Sequence, residues 1–221
     1  MKKLQLGVLG LGEGRSIISG ALNSDKWDVA MICDINEDLC KSMLEKFPSL
    51  QYTTSYESML ANPAIDVIGI YTPDHLHAGH IIMALNAGKH VICTKPLTTD
   101  LTEGQKIQET AERSGKNIFV GQSTRFFEPM MHQRKRFEQG VLGKICTIEA
   151  YYNADHRWFL EKPWTRSEQF KWLFGGLSHP IDLIRWYLPD IEQVMAYGDI
   201  SSNANEFGLK NPDIMHVILK S

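Results

Sequence analysis

The feature that most restricts the fold is a glycine cluster set between two kinds of apolar pattern. Leu4 to Leu9 is a short apolar run, Gly10-Leu11-Gly12-Glu13-Gly14-Arg15 follows at once, and Ser16 to Leu22 then takes up helical periodicity. A strand that turns through glycines into a helix aims backbone amides, and the positive end of the helix dipole, at one point, where a pyrophosphate can be held. Gly10 allows the tight turn and Gly12 lets the backbone approach the phosphates. Arg15 stands where a third glycine would permit close packing of helix on strand, and Gly14 is available to relax the turn. Tight glycine turns also occur with no ligand, so the loop calls for a second element. The run Val29 to Cys33 supplies one: it ends in Asp34, 22 residues after Gly12, where a carboxylate can accept hydrogen bonds from adenosine ribose hydroxyls and repel a 2′-phosphate. NAD, rather than NADP, is the expected cofactor.

The same alternation continues. Val67 to Tyr71, His90 to Cys93 and Ile118 to Val120 read as further buried strands, with Glu37 to Phe47, His75 to Asn86 and Leu101 to Arg113 as the helices between them. Repeated strand-helix-strand order predicts an α/β fold with a doubly wound parallel sheet over residues 1–121. After Gly121 the pattern changes to a second, α+β unit, 122–221. A helix runs through Phe137, a strand is expected from Ile145 to Tyr152, an aromatic-rich loop follows, another helix runs to Leu188, and Ile214 to Leu219 reads as a strand. That last strand stops at Ser221 with no return segment. The second unit is therefore expected to hold an incomplete, open, mostly antiparallel sheet including Tyr151, Val194 and Val217, and either to self-associate through it as a homo-oligomer or to be poorly ordered after about Asn203.

Composition excludes several classes. Hydrophobic residues make up 43% and charged residues 22%, enough for a globular core, and 23 basic against 26 acidic side chains leave a net charge of −3. With no basic excess, neither nucleic acid nor an anionic membrane is an expected partner. No run approaches the roughly 20 apolar residues of a membrane span. The four cysteines, Cys33, Cys40, Cys93 and Cys146, lack the spacing of a disulfide scaffold, which fits reduced thiols and a cytoplasmic location.

The stretch from Asp66 to Pro96 reads DVIGIYTPDHLH and then ALNAGKHVICTKP, and with the glycine loop, Asp34, Arg125-Phe126 and Gly175-Gly176 through His179-Pro180-Ile181-Asp182 it resembles the Gfo/Idh/MocA oxidoreductases. The resemblance implies that Gly10, Gly12, Glu13, Gly14, Arg15, Asp34, Thr72, Pro73, His77, Thr94 and Lys95 serve the cofactor. It implies that Lys95, Arg125, Trp172 and His179 serve a substrate, with Lys95 and His179 as the catalytic pair. The implied reaction is oxidation of a hydroxyl of a sugar, cyclitol or related polyol, by hydride transfer to nicotinamide. Alternatives within the resemblance are an NAD-dependent glycoside-cleaving enzyme and a catalytically silent NAD- or sugar-sensing regulator. Two departures bear on turnover: Thr94 stands where the family usually has glutamate, and Gly175 where it usually has aspartate.

The residues themselves fit this reading. Thr72 and Lys95 lie just past the carboxyl ends of expected strands, where open α/β sheets bind ligands. His179 precedes Pro180, which suits the start of a helix, and an imidazole there would face the positive end of the dipole and stay neutral; Asp182 would be a first-turn acid. His75, His77 and His80 point in separated directions on a helix, so no metal site is expected, and His77 falls on the inward stripe. The aromatic residues between Tyr151 and Trp172 suit either a sugar ring or the core of the second unit. Arg134-Lys135-Arg136 reads as a solvated helix face.

Overall fold

A computed structural model describes residues 2–221. The chain folds as two compact units, Met1–Gly121 and Gln122–Ser221.

The first unit is a six-stranded parallel sheet. Its strands are β1 (Leu4–Leu9), β2 (Trp27–Cys33), β3 (Tyr52–Thr53), β4 (Val67–Ile70), β5 (His90–Thr94) and β6 (Ile118–Gly121), in the order β3-β2-β1-β4-β5-β6. The helices are α1 (Arg15–Leu22), α2 (Glu37–Lys46), α3 (Tyr56–Ala61), α4 (His77–Asn86) and α5 (Leu101–Ser114). Side chains alternate between the faces of a strand, and the core divides accordingly. Leu6 and Val8 of β1 join Ile18 of α1 and Cys40 and Met43 of α2. Leu9 of β1, with Ile68 and Ile70 of β4, joins Met59 of α3, Ile81 and Leu85 of α4 and Ile107 of α5. Each fully buried Leu or Ile contributes roughly 1.5–3 kcal/mol, so both faces must be covered, and helices on both sides follow. The expected doubly wound fold holds. The apolar pattern does not single out β3 and α3, which are two and six residues long.

Strand order reverses between β1 and β4, which are hydrogen-bonded from Leu6↔Val67 to Leu9↔Ile70. Beyond their carboxyl ends lies the crevice where open α/β sheets bind ligands.

The second unit begins with a 3-10 turn, Ser123–Phe126, and α6 (Glu128–Glu138). Then come α7 (Arg157–Leu160), a 3-10 turn at Pro163–Arg166, α8 (Ser178–Tyr187), β7 (Gln193–Asp199), α9 (Ser202–Glu206) and β8 (Ile214–Lys220). Antiparallel β7 and β8 pair along their full length, Gln193↔Lys220 to Asp199↔Ile214. The expected strand from Ile145 to Tyr152 is not formed, and those residues carry no regular structure. Their β-branched and aromatic content favours a strand, but a strand exists only as part of a ladder, and the sheet of this unit is β7 and β8 alone. Residues after Asn203 build α9 and β8. A core of Leu160, Phe170, Ala204 and Leu209 takes in Phe159, Trp164 and Trp172, so much of the aromatic segment is core.

Candidate functional site

The glycine loop closes against β4. Gly10 has φ +89°, and a Cβ there would lie 2.7 Å from the carbonyl carbon and oxygen of Tyr71, so both conformation and space require glycine. The tight approach expected of a third fingerprint glycine occurs at Gly14, where a Cβ would meet the Gly10 oxygen at 2.3 Å and Val8 Cγ1 at 2.9 Å. Arg15 can therefore follow without loosening the turn, and its guanidinium folds back to donate to the Gly12 carbonyl at 3.2 Å. A Cβ at Gly12 would meet nothing within 4 Å. Glu13 and Arg15 are exposed on the loop. A loop that is packed at Gly10 and Gly14 and open at Gly12, feeding the first turn of α1, suits a dinucleotide pyrophosphate.

Asp34 lies just past β2, but its carboxylate already has work within the protein. Oδ2 accepts from the Leu11 amide at 2.7 Å and Oδ1 from the Asn36 amide at 2.9 Å. Asp34 thus staples the glycine loop to the end of β2. An ionised carboxylate offers about four acceptor sites, so two remain for ribose hydroxyls.

At the exits of β4 and β5 stand Thr72, Pro73, Thr94 and Lys95, all partly buried, and the Lys95-Pro96 bond is cis. His77, fully buried, bridges the two exits: Nδ1 lies 2.7 Å from the Pro96 carbonyl oxygen and Nε2 2.8 Å from that of Thr72. Burial pushes the Lys95 amine below the ordinary lysine range, against the pull of the Asp74 and Glu13 carboxylates. Burial likewise raises Asp74, while the charges of His77, Lys95 and His75 draw it back down. Asp74 does not stand out from the sequence. Its signal is an acid placed between Pro73 and His75 immediately after a strand, where turn chemistry alone would also put one.

In the second unit, His179 does not begin a helix. Helical structure starts at Trp172, passes through a π-helical turn at Leu173–Leu177 and continues as α8. The dipole acts within the first turn, so the helix-start argument for His179 does not apply. Thr124 Oγ1 lies 2.9 Å from His179 Nδ1, and the Tyr152 ring lies against it at 5.3 Å. Pro180, read from sequence as a helix start, sits where the π turn returns to α geometry. Such turns are frequent at functional sites, and this one contains Gly175.

Asp182 is not a first-turn acid either. It takes a two-pronged hydrogen bond from Arg125, with Nε to Oδ2 and Nη2 to Oδ1 both at 2.6 Å, and the guanidinium lies over Trp186. Arg134 is likewise not solvated: it donates to the Trp186 carbonyl and to Glu138, and lies against Phe137, Trp186 and Tyr187. Two of these aromatic neighbours, Trp186 and Tyr187, come from α8, which periodicity within α6 cannot reveal. Trp172 lines a cavity of 490 Å³ with Tyr152, Asn153, His156, Arg157 and Asp213. The four cysteines are free thiols, three of them buried. Among the described residues no helix is long and apolar enough to cross a membrane.

A parallel sheet in this strand order, with a glycine loop at its reversal point and an acid after the second strand, defines a dinucleotide-binding Rossmann unit. Residues 4–122 match the model of the oxidoreductase family with an NAD-binding Rossmann fold, GFO_IDH_MocA. The chain belongs to the Gfo/Idh/MocA oxidoreductase family. It is 30% identical over 189 residues to 1-carboxy-3-chloro-3,4-dihydroxycyclohexa-1,5-diene dehydrogenase of Comamonas testosteroni, covering 82% of this chain and 47% of that protein. It is 28% identical over 165 residues to the NADP(+) scyllo-inositol 2-dehydrogenase of Bacillus subtilis, covering 75% and 46%. Among solved structures, scyllo-inositol dehydrogenase from Lactobacillus casei with NAD(H) and scyllo-inositol bound superposes with a TM-score of 0.84 at 20% identity, over 99% of this chain and 66% of that one. That likeness is one of fold. The chain spans about half the length of the two curated relatives.

Proposed function

We propose that this chain serves NAD-dependent oxidation of a hydroxyl group on a sugar, cyclitol or related polyol. The observation that carries the reading is Lys95, a partly buried amine at the exit of β5, held down in pKa by that burial, at the carboxyl ends of the strands where Rossmann sheets bind ligands. Relatives whose names specify scyllo-inositol, levoglucosan and D-glucoside support the substrate class.

The residues divide the work. Amides of the Gly10–Arg15 loop hold the pyrophosphate, Asp34 the adenosine ribose, and Thr72, Pro73 and Thr94 the nicotinamide side. Bound NAD supplies the hydride acceptor. Lys95 polarises the reacting hydroxyl and relays its proton. In the second unit His179, oriented through Nδ1 by Thr124, is the proton acceptor that the family resemblance implies. Arg125, forked onto Asp182, acts by fixing α8 and with it His179. Trp172 offers a ring face to the substrate. Asp34 favours NAD over NADP by charge repulsion. The protein works in the cytoplasm and self-associates through the β7–β8 sheet, where Val194, Tyr197 and Ile218 are each at least 65% exposed.

The test is a panel of polyols and glycosides scored for NADH release, glycoside cleavage and binding without turnover. NADH release that disappears in Lys95→Met, with NAD affinity nearly unchanged, is the expected result. Equal activity in that variant removes Lys95 from the mechanism. Cleavage without net NADH, or binding alone, replaces the dehydrogenase reading.

A further inference from the structure

His77 is 0% exposed, and both its ring nitrogens face main-chain carbonyl oxygens at 2.7 and 2.8 Å. Carbonyl oxygens only accept hydrogen bonds, and a neutral imidazole has one N–H to give. In either neutral tautomer one contact would set a ring lone pair against a carbonyl lone pair, at a distance too short for a water between them. With both N–H groups present, both contacts become charge-assisted hydrogen bonds. A buried cation then needs a counter-charge. Asp74 begins the 3-10 turn Asp74–Leu76 that leads into α4, and its carboxyl feels the charge of His77. The other charged or titratable groups around these two are Lys95 and His75, which act on Asp74, the buried Cys93 thiol, on which Asp74 acts, and His80, whose Nδ1 lies 3.0 Å from Thr72 Oγ1 and whose ring packs edge-on against Tyr56. Glu57 acts on His80 and Glu13 on Lys95. His80 does not share the positive charge, because burial and the neighbouring His77 oppose its protonation.

We propose that His77 is an imidazolium at neutral pH, a positioning residue that locks the turn after β4 to the turn after β5, with the partly buried Asp74 as its counter-ion. The two turns carry Thr72 and Lys95, so the clamp sets the cofactor-side hydroxyl and the proposed catalytic amine at one spacing. That consequence rests on the dehydrogenase reading; the charge state does not.

Long-range proton–nitrogen NMR on the full chain labelled with ¹⁵N-histidine tests it. The ring of His77, assigned by its loss in His77→Gln or by contacts of its protons to Pro96 and Thr72, is expected to show two protonated nitrogens with slowly exchanging protons at neutral pH. One protonated and one bare nitrogen overturns the proposal. In Asp74→Asn the second proton is expected to leave at a pH lower by about one unit or more, a tenfold loss of proton affinity. An unmoved titration removes Asp74 as the counter-ion. If the two-proton spectrum is seen while the unmodified protein releases no NADH from any polyol or glycoside of the panel, the clamp stands and the dehydrogenase reading fails.

Discussion

Replacing Asp34 by alanine removes two functions that the structure gives to one carboxylate. The first is internal: the amide of Leu11, a fully buried residue, loses the acceptor 2.7 Å away. A hydrogen bond to a charged group contributes about 1.5–3 kcal/mol, and since Asp34 is partly exposed the lower end applies. For a unit of this size that lowers Tm by roughly 5 °C. The second is external: loss of ribose hydrogen bonds to a carboxylate weakens NAD binding about 10- to 100-fold. NADP binding falls less, because the repulsion of its 2′-phosphate goes at the same time. Asp34→Asn separates the two effects. Its amide oxygen can still accept from Leu11, but the amide nitrogen then faces the Asn36 N–H and cannot accept, so this variant melts between the alanine variant and the unmodified protein, while the NAD-to-NADP preference narrows as in the alanine variant. Thermal melts with calorimetric titration of both cofactors decide the matter. An alanine variant that melts with the unmodified protein refutes the staple, and an unmodified protein that binds NADP more tightly than NAD refutes the selectivity.

Three further outcomes follow from the geometry. Lys95 has a folded-state pKa below its unfolded value, so the unfolded chain binds more protons and stability rises with pH in the window just below the usual lysine value; Lys95→Met should remove that slope and melt no lower at neutral pH, and a clearly lower Tm there contradicts the burial argument. Gly10→Ala forces φ +89° and a contact of 2.7 Å on the Tyr71 backbone, for a loss of about 2–4 kcal/mol and of NAD binding; denaturant melts showing less than about 1 kcal/mol of loss would show that the loop yields. Within the π turn, a Cβ at Gly176 would meet Trp172 Nε1 at 2.9 Å, whereas at Gly175 the nearest contact is an ordinary 3.5 Å to the same ring. Gly176→Ala should therefore lose about 1–3 kcal/mol while Gly175→Asp folds normally, and melts of equal depth for the two would refute the distinction.

The sequence by itself determined what depends on neighbours along the chain. Gly10 must be glycine because its own φ is positive, Leu4 to Leu9 declares a buried strand by its short apolar run, and Ile81 and Leu85 mark the inner stripe of α4. These local rules place Gly12, Asp34, Thr72 and Lys95 at the ends of strands, and the order of elements then predicts which edge of the sheet binds a ligand. What only the tertiary structure decided depends on groups far apart in sequence. The run Ile145 to Tyr152 has the residues of a strand but no strand to pair with, since a ladder needs two partners. Pro180 marks a helix start in sequence, yet the helix arrives from Trp172 through a π turn, so His179 lies outside the reach of the dipole. Arg134 and Asp182 read as surface charge and first-turn acid, and became partners of α8 and of Arg125 across more than fifty residues. Asp34 was legible as a ribose acceptor but not as the staple of the Leu11 amide 23 residues before it. Hydrogen-bond partners and burial are set by which elements pack together, and that is why His77 reads in sequence as one inward-facing residue and in the folded chain as a bridge between two strand exits.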